Sequence, residues 1–174
     1  PNVHNGGMAF GTSPESAAAV TAAVKAVTTK PVYIKLSPNV TDIVAIAKAC
    51  EEAGADGICL INTLLGMRIN LEKRQPVIAN KMGGFSCSAI MPVALRMVYQ
   101  VYDAVKIPII GMGGITTWED AVEMLMAGAT ALQIGTVLFT DPYAPVKINE
   151  GLNRFLDENH IQSVTELTGT VQPW

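Results

Sequence analysis

Much of the chemistry that a chain of 174 residues could carry is missing from this one. No run of basic residues could track a nucleic-acid backbone, and no block of like charge marks a solvated tail. The formal net charge is only −3. No apolar stretch reaches the roughly 18 residues that a membrane-spanning helix needs. The opening Pro1-Asn2-Val3-His4-Asn5 has neither the basic start nor the apolar run of a secretory leader, so a cytoplasmic setting is expected. The three cysteines form no CxxC pair and no zinc spacing. Cys50 falls on a helical pattern and Cys59 inside an apolar strand run, which reads as small buried hydrophobes in a reducing compartment. There are two histidines, His4 and His160, and the second lies near the end of a helix, where a cation suits the dipole. No Ser/His/Asp set, carboxylate pair or metal-ligand cluster appears, so no metal is expected.

What is present is apolar: 49% of residues are hydrophobic and 16% charged. Such a balance in one domain suits an α/β protein with a buried parallel sheet. Helix and strand patterns alternate along the chain. Residues 13–30 are Ala-rich, with Ser13 suited to cap a helix and Pro14 to its first position. Pro31–Ser37 alternates as a strand, and a helix is expected from Thr41 to about Ala53, ended by Gly54. Asp56–Thr63 is a second strand. Residues 64–87 break the rhythm as a long insertion, and a helix follows from Ser88 to Val105. Ile107–Gly114 is a third strand with a glycine loop, and Thr116-Thr117-Trp118-Glu119 fits a capping box. That helix ends at Ala127-Gly128. Thr130–Phe139 is a fourth strand, Asp141–Asn159 a last long helix, and Ser163–Leu167 a short one.

Strand starts near 31, 56, 107 and 130 are spaced by about 25 residues, apart from the insertion. Ala53-Gly54-Ala55-Asp56-Gly57 and Ala127-Gly128-Ala129-Thr130-Ala131 recur at the same helix-to-strand junction, which suggests a repeated βα unit. An open doubly wound sheet and a barrel both fit such a unit. The barrel is favoured because Lys35, Asn62-Thr63, Gly113-Gly114 and Gly135-Thr136 all fall at C-terminal strand ends, where a (β/α)8 barrel places its site. Four βα units with parallel strands make half of a TIM barrel.

Each of these positions has a plain reading and a functional one. Gly113, Gly114, Gly135 and Thr136 close two consecutive strands. They either make tight turns or let backbone N–H groups, each loop feeding a helix N-terminus, approach a phosphate. Lys35 either snorkels to the rim or offers its ammonium to an electron-rich ligand such as the pyrimidine edge of a reduced flavin. Asn62 and Thr63 either end a strand or present a donor, an acceptor and a hydroxyl to a planar ring of carbonyl and N–H groups. Asp56 and Asp141 begin a strand and a helix and read as structural.

Taken in order, several segments resemble class 1 dihydroorotate dehydrogenase in its NAD-linked form. They are Pro1-Asn2-Val3, Gly6-Gly7-Met8-Ala9-Phe10-Gly11, Lys35-Leu36-Ser37-Pro38-Asn39-Val40-Thr41-Asp42, Ile61-Asn62-Thr63, Gly111-Met112-Gly113-Gly114 and Gly135-Thr136. The resemblance covers the chain to roughly residue 168, as the C-terminal half of the barrel, and leaves 169–174 as a tail that fits it poorly. It implies an FMN-containing enzyme that oxidises dihydroorotate to orotate in pyrimidine synthesis. Lys35 would contact the flavin ring and Ile61 would pack beside it. Gly113, Gly114, Gly135 and Thr136 would hold the phosphate end. Asn62, Thr63 and Asn2 would line the orotate pocket. The family's partner is an iron-sulfur/FAD subunit that passes electrons to NAD, and a homo-oligomer is expected. The family's catalytic base is a cysteine immediately before the Pro-Asn-Val, so the base and the first four strands are expected to lie outside this chain, and the chain alone to be inactive.

One segment departs from the pattern. Members usually read Gly-Gly-Leu-Ser-Gly-Pro where this chain has Gly83-Gly84-Phe85-Ser86-Cys87-Ser88. Cys87 thus replaces a glycine that meets the flavin, and a backbone N–H contact survives the change provided its φ is negative. Two other readings stay open. One is the barrel domain of a dihydropyrimidine dehydrogenase, against which Asn2-Val3 and Met112 weigh. The other is a non-catalytic half-barrel that keeps a phosphate site and self-associates through its open sheet edges.

Overall fold

The computed structural model describes residues 8–172 and residue 174. A short helix α1 (Met8–Gly11) precedes α2 (Pro14–Lys25). Ser13 caps α2, its hydroxyl accepting from the Ser16 N–H at 3.2 Å, and proline opens the first turn. Then come β1 (Tyr33–Leu36), α3 (Ile43–Glu52) and β2 (Gly57–Leu60). Asp42, one residue later than Thr41, caps α3, because its carboxylate reaches the Ala45 N–H at 3.0 Å.

The insertion is more ordered than its sequence suggests. It holds β3 (Leu64–Gly66), β4 (Ile69–Asn70), β5 (Gln75–Pro76) and β6 (Gly83–Phe85). These pair antiparallel as β3 with β6 and β4 with β5, making an arm with Leu71 and Val77 exposed. A 3₁₀ turn (Ser88–Ile90) leads into α4 (Met91–Tyr102), followed by β7 (Ile109–Met112), α5 (Trp118–Met126), β8 (Ala131–Gln133) and α6 (Ala144–Glu158). The capping box of α5 exists, but its members are Thr117 and Asp120 rather than Thr116 and Glu119. The fourth strand is shorter than expected, since Thr136–Phe139 winds into a 3₁₀ turn.

The four main strands form one parallel sheet in the order β1-β2-β7-β8. The order never reverses, whereas a doubly wound sheet reverses at its switch point. Right-handed crossovers in one direction put every connecting helix on the same face. There α2 packs on α3, α3 on α4, α4 on α5 and α5 on α6. This is the α/β arrangement of part of a (β/α)8 barrel. Ile58, Leu60 and Ile109 point to the helices and are fully buried, each contributing about 1.5–3 kcal/mol. On the other face Tyr33, Lys35, Ala131 and Gln133 are exposed.

The repeated junction is visible bond for bond. After α3, Gly54 N–H donates to the Glu51 carbonyl at 2.9 Å and Ala55 N–H to Cys50 at 3.0 Å. After α5, Gly128 donates to Leu125 at 2.9 Å and Ala129 to Met124 at 3.1 Å. Both are Schellman caps, with φ of 95° at Gly54 and 120° at Gly128. The next residue of each starts the following strand: Asp56 N–H bonds Val32 at 2.9 Å, and Thr130 N–H bonds Ile109 at 2.7 Å. At the chain end, Gly169 N–H donates to Leu125 at 3.2 Å, so the first tail residue is tied to α5.

The two cap glycines differ in their surroundings. A Cβ on Gly54 would meet only the Lys25 side chain at 3.9 Å, while one on Gly128 would overlap the Tyr102 ring. Gly54→Ala is therefore expected to lose about 1–2 kcal/mol from its positive φ alone. Gly128→Ala is expected to lose at least about 3 kcal/mol, because overpacking is added. Urea unfolding of both variants reads the difference, and equal losses would contradict the added crowding by Tyr102 at Gly128.

Candidate active site at the strand C-termini

The four parallel strands end at one rim, and their loops enclose a cleft of about 270 Å³. From the first two strands come Lys35, Ile61, Asn62 and Thr63. From the last two come Gly113, Gly114, Gly135 and Thr136. All eight line this single cleft. Cys87 does not line it, although its neighbour Ser86 does. Asn2 lies outside the described residues.

Register explains the convergence. Lys35 stands beside Cys59, Cys59 beside Ile110, and Ile110 beside Ala131, in one row across the sheet. Alternation puts Ile61, Met112 and Gln133 on the same face one step higher, with Met112 and Gln133 paired in register. Lys35 is exposed, so the cost of burying its charge does not arise in this chain. Its charge is nevertheless felt by its neighbour: burial pushes the Cys59 thiol up, and Lys35 pulls the other way. Among the described residues Lys35 is the one charged residue of the cleft wall, and no carboxylate shares it. A site of this kind favours an electron-rich ligand.

The two glycine loops serve different needs. Gly113 and Gly114 have φ of 119° and 86°, and a Cβ on Gly114 would lie 2.7 Å from the Met91 backbone N, so the fold itself excludes side chains there. Gly135 has a negative φ of −127° with ψ −94°, and a Cβ there would meet nothing within 4 Å, so no protein atom opposes a side chain at this position. Among the described residues, the N–H groups of Gly113, Gly114 and Gly135 donate to no protein acceptor. The first glycine loop feeds the N-terminus of α5, as expected, but N–H groups leading into that helix are already engaged. At α5, Asp120 Oδ2 already accepts from Thr116 N–H (2.8 Å) and Thr117 N–H (3.0 Å). After β8 the loop enters a four-residue 3₁₀ turn. Anion-binding capacity therefore rests on loop N–H groups and the Thr136 hydroxyl rather than on a helix dipole.

Asn62 is oriented by its own neighbour. Its Oδ1 accepts from the Thr63 N–H at 2.9 Å, which leaves the amide NH₂ as the donor available to the cleft. Thr63 is backed by the arm, because Gly84 of β6 approaches so closely that a Cβ there would lie 2.9 Å from Thr63 Cβ and overlap Oγ1. At Cys87 the backbone has φ 80° and ψ −176°, a region essentially reserved for glycine. The condition of a negative φ is not met, so Cys87 occupies a glycine conformation under strain.

The remaining ionic groups are structural. Asp56 accepts from Lys25 Nζ and Val32 N–H, both at 2.7 Å, and these partners hold its carboxyl below the ordinary range. Asp141 is held down likewise by Lys147 at 2.6 Å. Cys50 and Cys59 are buried and free. Among the described residues no group of three His, Cys, Asp or Glu could hold a metal. Ser86 and Gln133 line the cleft without having been singled out in the sequence. Strand parity two residues before Gly135 is the signal that could have found Gln133.

Comparison with known proteins bears on this geometry. The family model described as dihydroorotate dehydrogenase matches residues 1–156. A relative from Shouchella clausii, named dihydroorotate dehydrogenase B (NAD(+)), catalytic subunit, is 60% identical over 97% of this chain and 56% of its own length. Relatives of the same name are 52% identical in Bacteroides thetaiotaomicron, over 99% of this chain and 57% of their own length, and 53% in Brachyspira hyodysenteriae, over 97% and 56%. The chain spans little more than half the length of these relatives.

Two substitutions separate fold from site. Gly135→Ala is expected to leave stability within about 0.5 kcal/mol, since no atom opposes the methyl group, yet to weaken binding of a phosphate-bearing ligand at least tenfold. Unchanged binding measured by calorimetry would contradict the cradle. Cys87→Gly is expected to raise unfolding stability by about 1 kcal/mol by relieving the positive φ. A loss of stability in urea would show that the strain is not there.

Proposed function

This chain belongs to the dihydroorotate dehydrogenase family, and from that premise we propose that it carries the flavin and substrate contacts of an FMN-dependent enzyme oxidising dihydroorotate to orotate in pyrimidine biosynthesis. The observation that carries the reading is the cleft itself. Among the described residues, one lysine, an oriented amide donor, a hydroxyl and N–H groups without a protein acceptor converge there, with no carboxylate among them.

The cleft fits FMN at both ends. Gly113, Gly114 and Gly135 offer N–H groups to a phosphate, Thr136 adds a hydroxyl, and the space above Gly135 is what a side chain there would fill. Ile61 and Met112 form an apolar floor suited to a flat ring. When bound, FMN supplies a two-electron acceptor for the hydride lost from the dihydropyrimidine. Lys35 stabilises the negative charge that such a ring gains, at the point where charge develops. Asn62 and Thr63 orient the substrate ring through its carbonyl and N–H edge, with Asn2 proposed for the same pocket. Cys87 lies outside the described lining of the cleft, yet its backbone keeps a glycine-like φ of 80°, and its N–H is proposed to meet the flavin at the cost of that strain. Among the described residues no His, Asp, Glu or Cys lines the cleft, and the proton acceptor is proposed to be the cysteine that the family places immediately before the Pro-Asn-Val.

The relatives are named catalytic subunits, which supports a partner subunit. We take it to be an iron-sulfur/FAD protein that passes electrons to NAD. No helix among the described residues is long and apolar enough to cross a membrane. A cytoplasmic homo-oligomer is proposed from the family resemblance alone. The sheet face that carries the exposed Tyr33, Lys35, Ala131 and Gln133 is proposed to be part of the inner wall of a complete barrel.

Lys35→Ala in the intact protein tests the assignment. It is expected to weaken FMN retention or to slow flavin reduction by dihydroorotate about 10²-fold. Stopped-flow absorbance reads the rate, and the absorbance of the purified protein reads flavin content. Both unchanged would refute the role.

A further inference from the structure

The turn after β1 has no chemical role in this reading, yet its side chains bond heavily at the mouth of the cleft. Asn39 Oδ1 accepts from the Leu65 N–H at 2.8 Å. Its Nδ2 donates to the Thr63 carbonyl at 3.0 Å and to Ser37 Oγ at 3.2 Å. The Asn39 backbone N–H donates to the same hydroxyl, also at 3.2 Å, and Ser37 is buried. Both hydrogens and the oxygen of this carboxamide are thus used inside the protein, and it has no donor left for a ligand.

Its position explains why such a clamp is needed. The backbone ladder that holds β2 runs a little beyond the strand: Ile61 N–H bonds the Met112 carbonyl at 2.9 Å, and Asn62 N–H bonds Leu36 at 2.8 Å. There the ladder stops. Thr63 N–H finds only the side chain of Asn62. A carboxamide that takes the carbonyl of Thr63 and the N–H of Leu65 binds two backbone groups that face the same way along an extended segment, as a neighbouring strand would. On the opposite side Gly84 presses against the Thr63 side chain.

We propose that Asn39 is a positioning residue for Asn62 and Thr63. It supplies by side chain the next rung of the β1–β2 ladder and thereby sets the affinity of the cleft for the substrate ring, not for the flavin. The inference rests on the reading that Asn62 and Thr63 contact that ring.

The test uses the intact flavoprotein carrying this sequence, with Asn39→Ala and the isosteric Asn39→Asp. The second variant keeps the acceptor for Leu65 but sets an oxygen against the Thr63 carbonyl. Orotate is titrated by its perturbation of flavin absorbance, steady-state kinetics are measured with dihydroorotate, and amide hydrogen exchange is followed across residues 57–66. Breaking the hold of Asn39 on the Thr63–Leu65 segment predicts orotate affinity weakened about tenfold and KM raised to match. Flavin content is expected to be unchanged and kcat within about threefold, because Lys35 and the glycine loops are untouched. Exchange should rise at Thr63–Gly66 and stay constant at Gly57–Leu60. A merely structural asparagine would lower flavin content and stability without splitting KM from kcat. Orotate affinity within twofold of the parent, or kcat falling with KM fixed, overturns the proposal. Should Asn39→Ala fail to fold, Asn39→Asp carries the same expectations. If the parent protein binds no flavin, the proposed function fails instead, and selective exchange at residues 63–66 alone then decides the clamp.

Discussion

Lys35, Cys59, Ile110 and Ala131 stand in one row across four parallel strands, and the register that aligns them sets the rest of the site. Side chains alternate along each strand. A slip of one residue would therefore turn Lys35 toward the helices and bring Leu36 or Ile34 to the cleft. The same register ends all four strands at a common rim, so that an amide, a hydroxyl and two glycine loops meet although as many as 101 positions separate Lys35 from Thr136. The helices hold that register by burying the other face, where Ile58, Leu60 and Ile109 exclude water.

Polar groups are divided between the two ends of the sheet. At the strand starts, carboxylates tie loops to backbone. Asp56 grips Lys25 and the Val32 N–H, and Glu51 accepts from the backbone N–H groups of Lys106 at 2.6 Å and Ile107 at 3.1 Å. At the strand ends the cleft wall carries amides, hydroxyls, bare N–H groups and one ammonium. Asp42 and Asp120 also cap the helices that follow β1 and β7, but among the described residues no carboxylate lines the cleft to repel an anion.

Local signals of the fold were legible because they rest on one or two residue types. Ser13-Pro14 starts a helix, and Ala-Gly-Ala makes the same Schellman cap twice. Where two neighbours share a chemistry, residue type cannot choose. Asp42 won over Thr41, and Thr117 with Asp120 over Thr116 with Glu119. The arm was missed because its strands are two or three residues long and show no alternation to read. The cleft residues were named by their place at strand ends, which survives errors of a residue or two in strand length. Three features depend on tertiary context and were out of reach: the exposure of Lys35, the glycine-like backbone of Cys87, and the bridge from Asn39 to Leu65 across 26 positions.

The central claim is that the four strand ends form one flavin site, with Lys35 at the ring and the two glycine loops at the phosphate. A crystal structure of the intact protein loaded with FMN measures this most directly. The account predicts the phosphate within hydrogen-bonding distance of the N–H groups of Gly113, Gly114, Gly135 and Thr136, with the pyrimidine edge of the ring against the Lys35 ammonium. A phosphate bound at any other loop, or a ring turned so that Lys35 faces its dimethylbenzene end, would contradict it.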